Sequence, residues 1–219
     1  MSLIFYYVPM STSSITEAIL QELDIQYQGV KLDIDAGDTQ KPEFLAVNPN
    51  GRVPVIVHDG VTLWESAAIT LYLGETFAVE QGLFPEQGPL RGEAMKWVVW
   101  ANVNLAEAAG RLAAELPPEM EGAVQEGSRD FVPVAERRPS ALAKASQDLL
   151  KSFAILNNEL AQKHYLLNEY SIVDTHLFVL VGWILSMGVP LSEYPNIEQW
   201  MMLCSERSVL AAMMSDEEE

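Results

Sequence analysis

The sequence predicts an α/β domain at the amino terminus followed by an all-helical domain. Over the first third of the 219-residue chain, apolar stretches with strand spacing alternate with stretches of helical spacing. Residues 77–89 are rich in Gly, Pro and Gln, which is typical of a linker. Beyond this segment every long periodic stretch has helical spacing. We therefore expect domains at 1–78 and 89–219, joined by residues 79–88.

The amino-terminal domain is predicted to have the element order β-α-β-α-β-β-α. Its first three elements form a β-α-β unit, whose crossover should be right-handed. Asp59-Gly60 predicts a tight hairpin turn, because it joins two short runs of β-branched and apolar residues. The predicted elements are, in chain order, strand 3–8, helix 14–23, strand 27–32, a short helix at 41–47, strands 55–57 and 61–63, and a helix starting near Ser66.

The second domain is predicted to contain four helices, at 90–116, 141–162, 171–187 and 196–207. Residues 117–139 are rich in Pro, Gly and Glu, so we expect a flexible loop there. One face of the first helix is apolar and should pack in the helical core; it consists of Val98, Ala101, Leu105, Ala108 and Leu112.

The third of these helices starts with a capping box. Ser171 and Asp174 have the spacing at which each side chain can bond to the backbone near the other. This is a folding role, and replacing either residue with Ala should cost about 0.5 to 2 kcal/mol. His176 lies on the same apolar helix, so we expect a buried histidine with satisfied hydrogen bonds rather than an acid or base.

Composition excludes several classes of function. With 31 acidic and 13 basic residues, the formal net charge is −18, which repels nucleic acid and acidic lipid headgroups. We expect a cytoplasmic protein without a membrane partner, because there is no long apolar run and no signal-peptide pattern. The single Cys204 cannot form an internal disulfide, and the three histidines lack zinc-ligand spacing, so we expect no metal.

Residues 48–74 have the features of a backbone binding site for a small peptide-like ligand. Asn48 to Gly51 are turn residues, and Pro54 cannot donate to a sheet ladder, which leaves the edge at Val53 free to pair with an extended peptide. A cis Val53-Pro54 bond would turn both backbone groups of Val53 toward a cleft. Ser66 lies at a helix start, where free N–H groups attract a carboxylate.

The segment FLAVNPNGRVPVIV, followed by LWESAAITLYL, resembles the glutathione-binding half of the cytosolic glutathione transferases. The resemblance extends to residues 5–12 and returns near residues 171–177. It implies a thioredoxin-like first domain, glutathione as co-substrate and a homodimer. It also implies that Val53 and Pro54 meet the cysteinyl backbone and that Glu65 and Ser66 hold the γ-glutamyl end. Lys41 and Arg52 are the nearest basic residues for the glycyl carboxylate.

The chemistry is expected in the hydroxyl-rich loop at residues 11–14. A glutathione thiol with a pKa of about 8.5 to 9 is mostly protonated at neutral pH, so the protein must stabilise the thiolate. A hydroxyl hydrogen bond and a helix start can do so. Similarity to plant phi-like transferases places the catalytic residue at Ser11, whereas similarity to the bacterial beta-like class places Thr12 at that class's cysteine position.

The resemblance implies conjugation of glutathione to a small apolar electrophile, a detoxification reaction. The candidate residues for its pocket are Met10, Trp97, Trp100, Asn104 and Arg111. Two alternatives stay open. The same site could serve a glutathione-dependent reductase or isomerase, or the chain could be a non-catalytic adaptor that kept the fold.

Overall fold

The computed structural model describes residues 2–117, 124 and 138–215. The predicted loop at 117–139 and the acidic tail at 216–219 therefore lie mostly or wholly outside the described residues. The strands are β1 (Leu3–Tyr7), β2 (Gln28–Lys31), β3 (Val55–His58) and β4 (Val61–Trp64). They form one sheet in the order β2-β1-β3-β4. β1 is parallel to β2, and β3 is antiparallel to both β1 and β4.

The helices follow the prediction closely in the first domain and less closely in the second. In chain order they are α1 (Ser13–Glu22), α2 (Pro42–Leu45), α3 (Ser66–Leu73), α4 (Pro89–Trp100), α5 (Glu107–Glu115), α6 (Pro139–Glu159), α7 (Ile172–Ser186), α8 (Pro195–Ser205) and α9 (Ser208–Ser215). Short 3-10 helices cover Asp38–Gln40 and Leu160–Gln162, and π-helical segments cover Gly74–Ala78 and Ala101–Ala106. A thioredoxin-like α/β domain followed by a helical domain is thus confirmed.

The hairpin turn is formed as predicted. Asp59 and Gly60 have φ values of 48° and 85°, which are the positive values that a tight two-residue hairpin turn requires at both central positions. The amino end of β1 is tied to this turn, since the N–H of Ser2 donates to the Asp59 carboxylate over 3.0 Å.

Two features of the helical domain differ from the prediction. The single helix expected at 90–116 is divided by the π-helical segment Ala101–Ala106. Its apolar face is nevertheless buried as predicted, so the apolar periodicity gave no indication of the π-helical turn. The helix α9 was missed, because its eight residues are too few for a helical period to stand out.

Helix α7 is the centre of the helical domain, and most of its residues are buried. The predicted capping box is present. The Asp174 carboxylate accepts hydrogen bonds from the N–H and hydroxyl of Ser171, the N–H of Leu166 and the indole N–H of Trp200, at 3.0 to 3.1 Å. Asp174 therefore joins the start of α7 to α8 and to the preceding loop, which is more than a cap.

A polar cluster connects the two domains. The Glu22 carboxylate, at the end of α1, accepts hydrogen bonds from Arg207 Nη2 at 2.6 Å and from the Tyr170 hydroxyl at 3.3 Å. The Glu22 side chain is only 2% exposed, so these donors take the place of water around its carboxylate. None of the described helices has the length and apolar character needed to cross a membrane.

Candidate functional site

The sheet register brings three predicted site segments to the same end of the sheet. Tyr6 near the end of β1 pairs with Val55 at the start of β3, and Val55 pairs with Trp64 at the end of β4. The loop after β1, the residue Val53 before β3 and the start of α3 after β4 are therefore neighbours. Because β2 runs parallel to β1, its carboxyl end lies at this end of the sheet. Gln40, the neighbour of Lys41, donates to the Gly51 carbonyl over 3.2 Å, which brings Lys41 near the segment that carries Val53.

In the loop after β1, Ser11 and Ser13 bond inward. The Ser11 hydroxyl donates to the Val8 carbonyl over 2.7 Å, and its oxygen accepts the N–H of Ser13 at 3.1 Å. The Ser13 hydroxyl oxygen is 3.0 Å from that of Ser11 and accepts the N–H of Val8 at 3.4 Å. The Ser11 hydroxyl therefore has two acceptors within the protein, the Val8 carbonyl and the Ser13 hydroxyl oxygen.

Thr12 has the opposite environment. It is exposed, and its hydroxyl donates to the carbonyl oxygen of Val53 over a long 3.3 Å. Thr12 thus lies directly beside the residue that was predicted to pair with a peptide ligand. A hydrogen bond of this length is weak, so the hydroxyl can be redirected at small cost.

The segment that carries Val53 is held by side chains of the preceding turn. The buried Asn48 donates to the carbonyl of Arg52 over 2.6 Å, and its oxygen accepts the N–H of Asn50 at 3.0 Å. Gly51 has φ 62°, which favours glycine, and a Cβ there would lie 3.0 Å from the Thr39 carbonyl oxygen and would displace the Gln40 side chain. The Val53-Pro54 peptide bond is cis.

Helix α3 begins at Ser66, as predicted. No described side chain caps this end. Glu65 precedes it with φ 74°, a conformation that non-glycine residues rarely adopt, and its side chain is exposed. The Ser66 hydroxyl is buried and accepts a hydrogen bond from Asn102 Nδ2 at 2.8 Å.

Behind Ser66 lies a buried polar group that the sequence did not associate with the site. His176 is fully buried, with Nε2 2.9 Å from Asn102 Oδ1 and Nδ1 2.9 Å from the Thr70 hydroxyl. Burial lowers the pKa of His176 from its ordinary 6.5 to about 3, so the ring is neutral. The prediction of a satisfied core histidine is confirmed.

The two predicted basic residues lie near the site. Lys41 is exposed and paired with Asp38 at 2.5 Å, an ion pair that raises the lysine pKa. Arg52 is exposed immediately before Val53.

Within the described residues no group of three or more histidine, cysteine or carboxylate side chains could hold a metal ion. Burial raises the pKa of the Cys204 thiol, which removes it as a nucleophile at neutral pH.

The predicted pocket residues have very different environments. Met10 is 90% exposed, in the loop after β1. Trp97 is 4% exposed and belongs to the hydrophobic core, while its neighbour Trp100 is half-buried, with ring centres 5.1 Å apart. Asn104 is exposed and donates to the Trp100 carbonyl over 3.4 Å. The Arg111 guanidinium forms ion pairs with Glu107 and Asp148 on the surface.

The fold and the site together define the class of protein, in which a thioredoxin-like domain is followed by a helical domain. The loop after β1, the strand edge at Val53 and the start of α3 lie at one end of the sheet. Comparison with known proteins agrees. The family profile described as "Glutathione S-transferase, N-terminal domain" matches residues 1–75, and that of the corresponding C-terminal domain matches residues 116–208. The chain belongs to the glutathione S-transferase family.

Three relatives illustrate the similarity. Glutathione S-transferase GstB of Escherichia coli is 29% identical over 194 residues, 86% of this chain and 85% of GstB. Disulfide-bond oxidoreductase YfcG of the same organism is 26% identical over 227 residues, covering 97% and 96%. A sphingomonad glutathione S-transferase, solved with glutathione, superposes with a TM-score of 0.79 at 25% identity and covers 98% of both chains.

Proposed function

We propose that the chain is a glutathione transferase that joins the glutathione thiolate to a small apolar electrophile. The observation that carries this proposal is the position of the Thr12 hydroxyl, 3.3 Å from the Val53 carbonyl. Since Val53 is the expected partner of the cysteinyl backbone, a sulfur one side chain away from that backbone would lie close to Thr12. Similarity to GstB and to a sphingomonad transferase solved with glutathione supports the ligand.

In this proposal the cysteinyl N–H takes the Val53 carbonyl as its acceptor. Because the bond from Thr12 to Val53 is long and weak, the Thr12 hydroxyl can turn to donate to the sulfur instead, together with the N–H groups at the start of α1. Ser11 is the other candidate donor. Its hydroxyl would have to leave the 2.7 Å bond to Val8, so Thr12 is the residue that we favour.

The start of α3 suits the γ-glutamyl end of glutathione, which carries an ammonium and a carboxylate. The exposed Glu65 carboxylate can accept from the ammonium, and the Ser66 hydroxyl can donate to the carboxylate. Lys41 and Arg52 are placed to meet the glycyl carboxylate. They supply local positive charge on a chain whose net charge is −18.

The electrophile is proposed to bind between the loop after β1 and the helical domain. The exposed Met10 and the half-buried Trp100 can give such a ligand apolar contacts.

A homodimer and a cytoplasmic location are also proposed. Val99 and Val103, one turn apart and both exposed, are apolar residues that a second copy could cover.

The test is conjugation of an aromatic halide with glutathione by wild type, Ser11→Ala and Thr12→Ala. We expect a large loss of rate in Thr12→Ala, and unchanged rates in both variants would overturn the assignment. Calorimetry tests whether the chain binds glutathione, and the reaction rates separate an enzyme from a non-catalytic adaptor, which would show no turnover whether or not glutathione binds. Sedimentation of the wild type reports the oligomeric state.

A second activity is favoured by the similarity to YfcG, named a disulfide-bond oxidoreductase. The loop after β1 has no cysteine, so a protein thiol there cannot take part. Reduction of a small disulfide would use two glutathione molecules, which leave as oxidised glutathione. A panel containing a halide, a small disulfide and an isomerisable substrate separates transferase, reductase and isomerase.

A further inference from the structure

We infer that a one-way chain of hydrogen bonds, from Thr70 through His176 and Asn102, fixes the Ser66 hydroxyl as a donor to the ligand carboxylate. Thr70, His176 and Asn102 are thus positioning residues for the glutathione site, and they lie on both domains. This inference rests on the proposed function, because it assigns them to the γ-glutamyl end of glutathione.

The direction of the chain follows from the chemistry of its groups. The Asn102 amide oxygen can only accept, so the hydrogen between it and His176 must belong to Nε2. A neutral histidine has one ring N–H, which leaves Nδ1 as an acceptor. The Thr70 hydroxyl, 2.9 Å from Nδ1, must therefore donate.

The same reasoning gives the direction of the bond between Asn102 and Ser66, at the ligand end of the chain. The Asn102 Nδ2 group donates to the Ser66 oxygen over 2.8 Å, so the Ser66 hydroxyl hydrogen is left for a different acceptor. Within the described part of the chain nothing accepts it. Hydrogen bonds in one direction polarise each other, so each donor in the chain strengthens the next. Ser66 and the free N–H groups of α3 together present only donors, which suits a carboxylate.

The charge state of the ring keeps this arrangement in place. His176 is fully buried and neutral, so protonation does not convert Nδ1 into a second donor near neutral pH. Its placement also explains why an otherwise apolar helix carries a histidine. The ring spans the gap between α3 of the first domain and the π-helical segment of the second. Such π-helical turns are frequent at functional sites.

The first test is nitrogen NMR of the His176 ring in the wild-type protein, which distinguishes the two neutral tautomers. We expect the hydrogen on Nε2. A hydrogen on Nδ1 would reverse every bond in the chain, make Ser66 a donor to Asn102 and overturn the inference. This measurement needs no ligand.

The second test measures affinity by calorimetry for glutathione and for the analogue that lacks the glutamyl α-carboxylate. Asn102→Ala should weaken glutathione binding about tenfold, and Thr70→Val about threefold, while both bind the analogue nearly as the wild type does. His176→Gln should retain most of the affinity, because its amide can donate to Asn102. A general loss of structure would lower the affinity for both ligands equally, and that result would overturn the inference.

Two matched controls are available. Thr16 is a buried threonine whose hydroxyl has no partner among the described residues, so Thr16→Val repeats the Thr70→Val change without losing a hydrogen bond. Asn158 is exposed on α6, away from the proposed site, so Asn158→Ala should leave both affinities unchanged. If the wild type binds no glutathione, the proposed function and the ligand part of this inference both fail, whereas the ring tautomer still decides the direction of the chain.

Discussion

The Thr12 hydroxyl and the Val53 carbonyl oxygen are 3.3 Å apart, although 41 residues separate them in the chain. The contact joins the loop after β1 to the strand edge before β3. It places a side-chain donor next to a backbone acceptor that an extended peptide would use. Ser11, one residue earlier, has its hydroxyl bound to the Val8 carbonyl instead.

Thr12→Ala is expected to lower kcat/KM for conjugation by about 10- to 100-fold, because a hydrogen bond to a thiolate is lost. Steady-state kinetics with an aromatic halide provides the measurement. Thr12→Ser keeps the hydroxyl and should retain most of the rate. A large loss in Ser11→Ala with no loss in Thr12→Ala would transfer the role to Ser11.

Asp174→Ala is expected to destabilise the fold by about 3 to 5 kcal/mol, since it leaves several buried donors without an acceptor. The sequence predicted a smaller cost, that of a cap alone, and Ser171→Ala should show that smaller cost of about 1 kcal/mol. Urea unfolding measures both. Asp148→Ala, which removes two surface ion pairs, to Arg111 and Lys144, should cost less than about 1 kcal/mol. Equal costs for all three would contradict this account.

Acid sensitivity is expected from His176. Its folded pKa of about 3 lies below the ordinary 6.5, so the unfolded chain binds this proton more readily. The stability linked to the neutral ring is complete above pH 6.5 and is lost as pH falls toward 3, by about 1.4 kcal/mol per unit.

The measurement is the unfolding free energy of wild type and His176→Gln at pH 7.5 and pH 5. The advantage of the wild type should shrink by about 2 kcal/mol at the lower pH. Asn158→Ala supplies a control, because this exposed substitution changes no titratable group and should show no such change. A difference independent of pH would mean that His176 has the same pKa in the folded and unfolded chains, which would contradict the pKa lowered by burial.

Arg207→Ala is expected to destabilise the fold by about 2 kcal/mol, because it leaves the buried Glu22 carboxylate with the Tyr170 hydroxyl as its remaining side-chain donor. Adding Glu22→Gln to this variant should recover part of the loss. Thermal unfolding of the two variants measures this coupling. Lys41→Ala, which removes an exposed pair, should have little effect on stability.

Features that depend on neighbouring residues were predictable from sequence. The Asp59-Gly60 turn requires two positive φ values, and the capping box needs only the spacing of Ser171 and Asp174. The burial of the apolar face of α4 and α5 follows from periodicity in the same way. Each of these is decided by residues that are close together in the chain.

Contacts between distant residues were not predictable. Asn102 is 36 residues from Ser66 and 74 from His176, and the pattern of the first helix of the second domain drew attention to Asn104 instead. Sequence also could not show which hydroxyl of residues 11–14 points outward, since that depends on Val8 and Val53 as acceptors. In both cases the missing information is the geometry between two elements.

The most direct measurement is a titration of the glutathione thiol in complex with the protein, followed by the ultraviolet absorbance of the thiolate. We predict a pKa well below the value of about 8.5 to 9 for a free thiol, and a return toward that value in Thr12→Ala. A bound thiol as weakly acidic as free glutathione would contradict the claim that this site stabilises the thiolate.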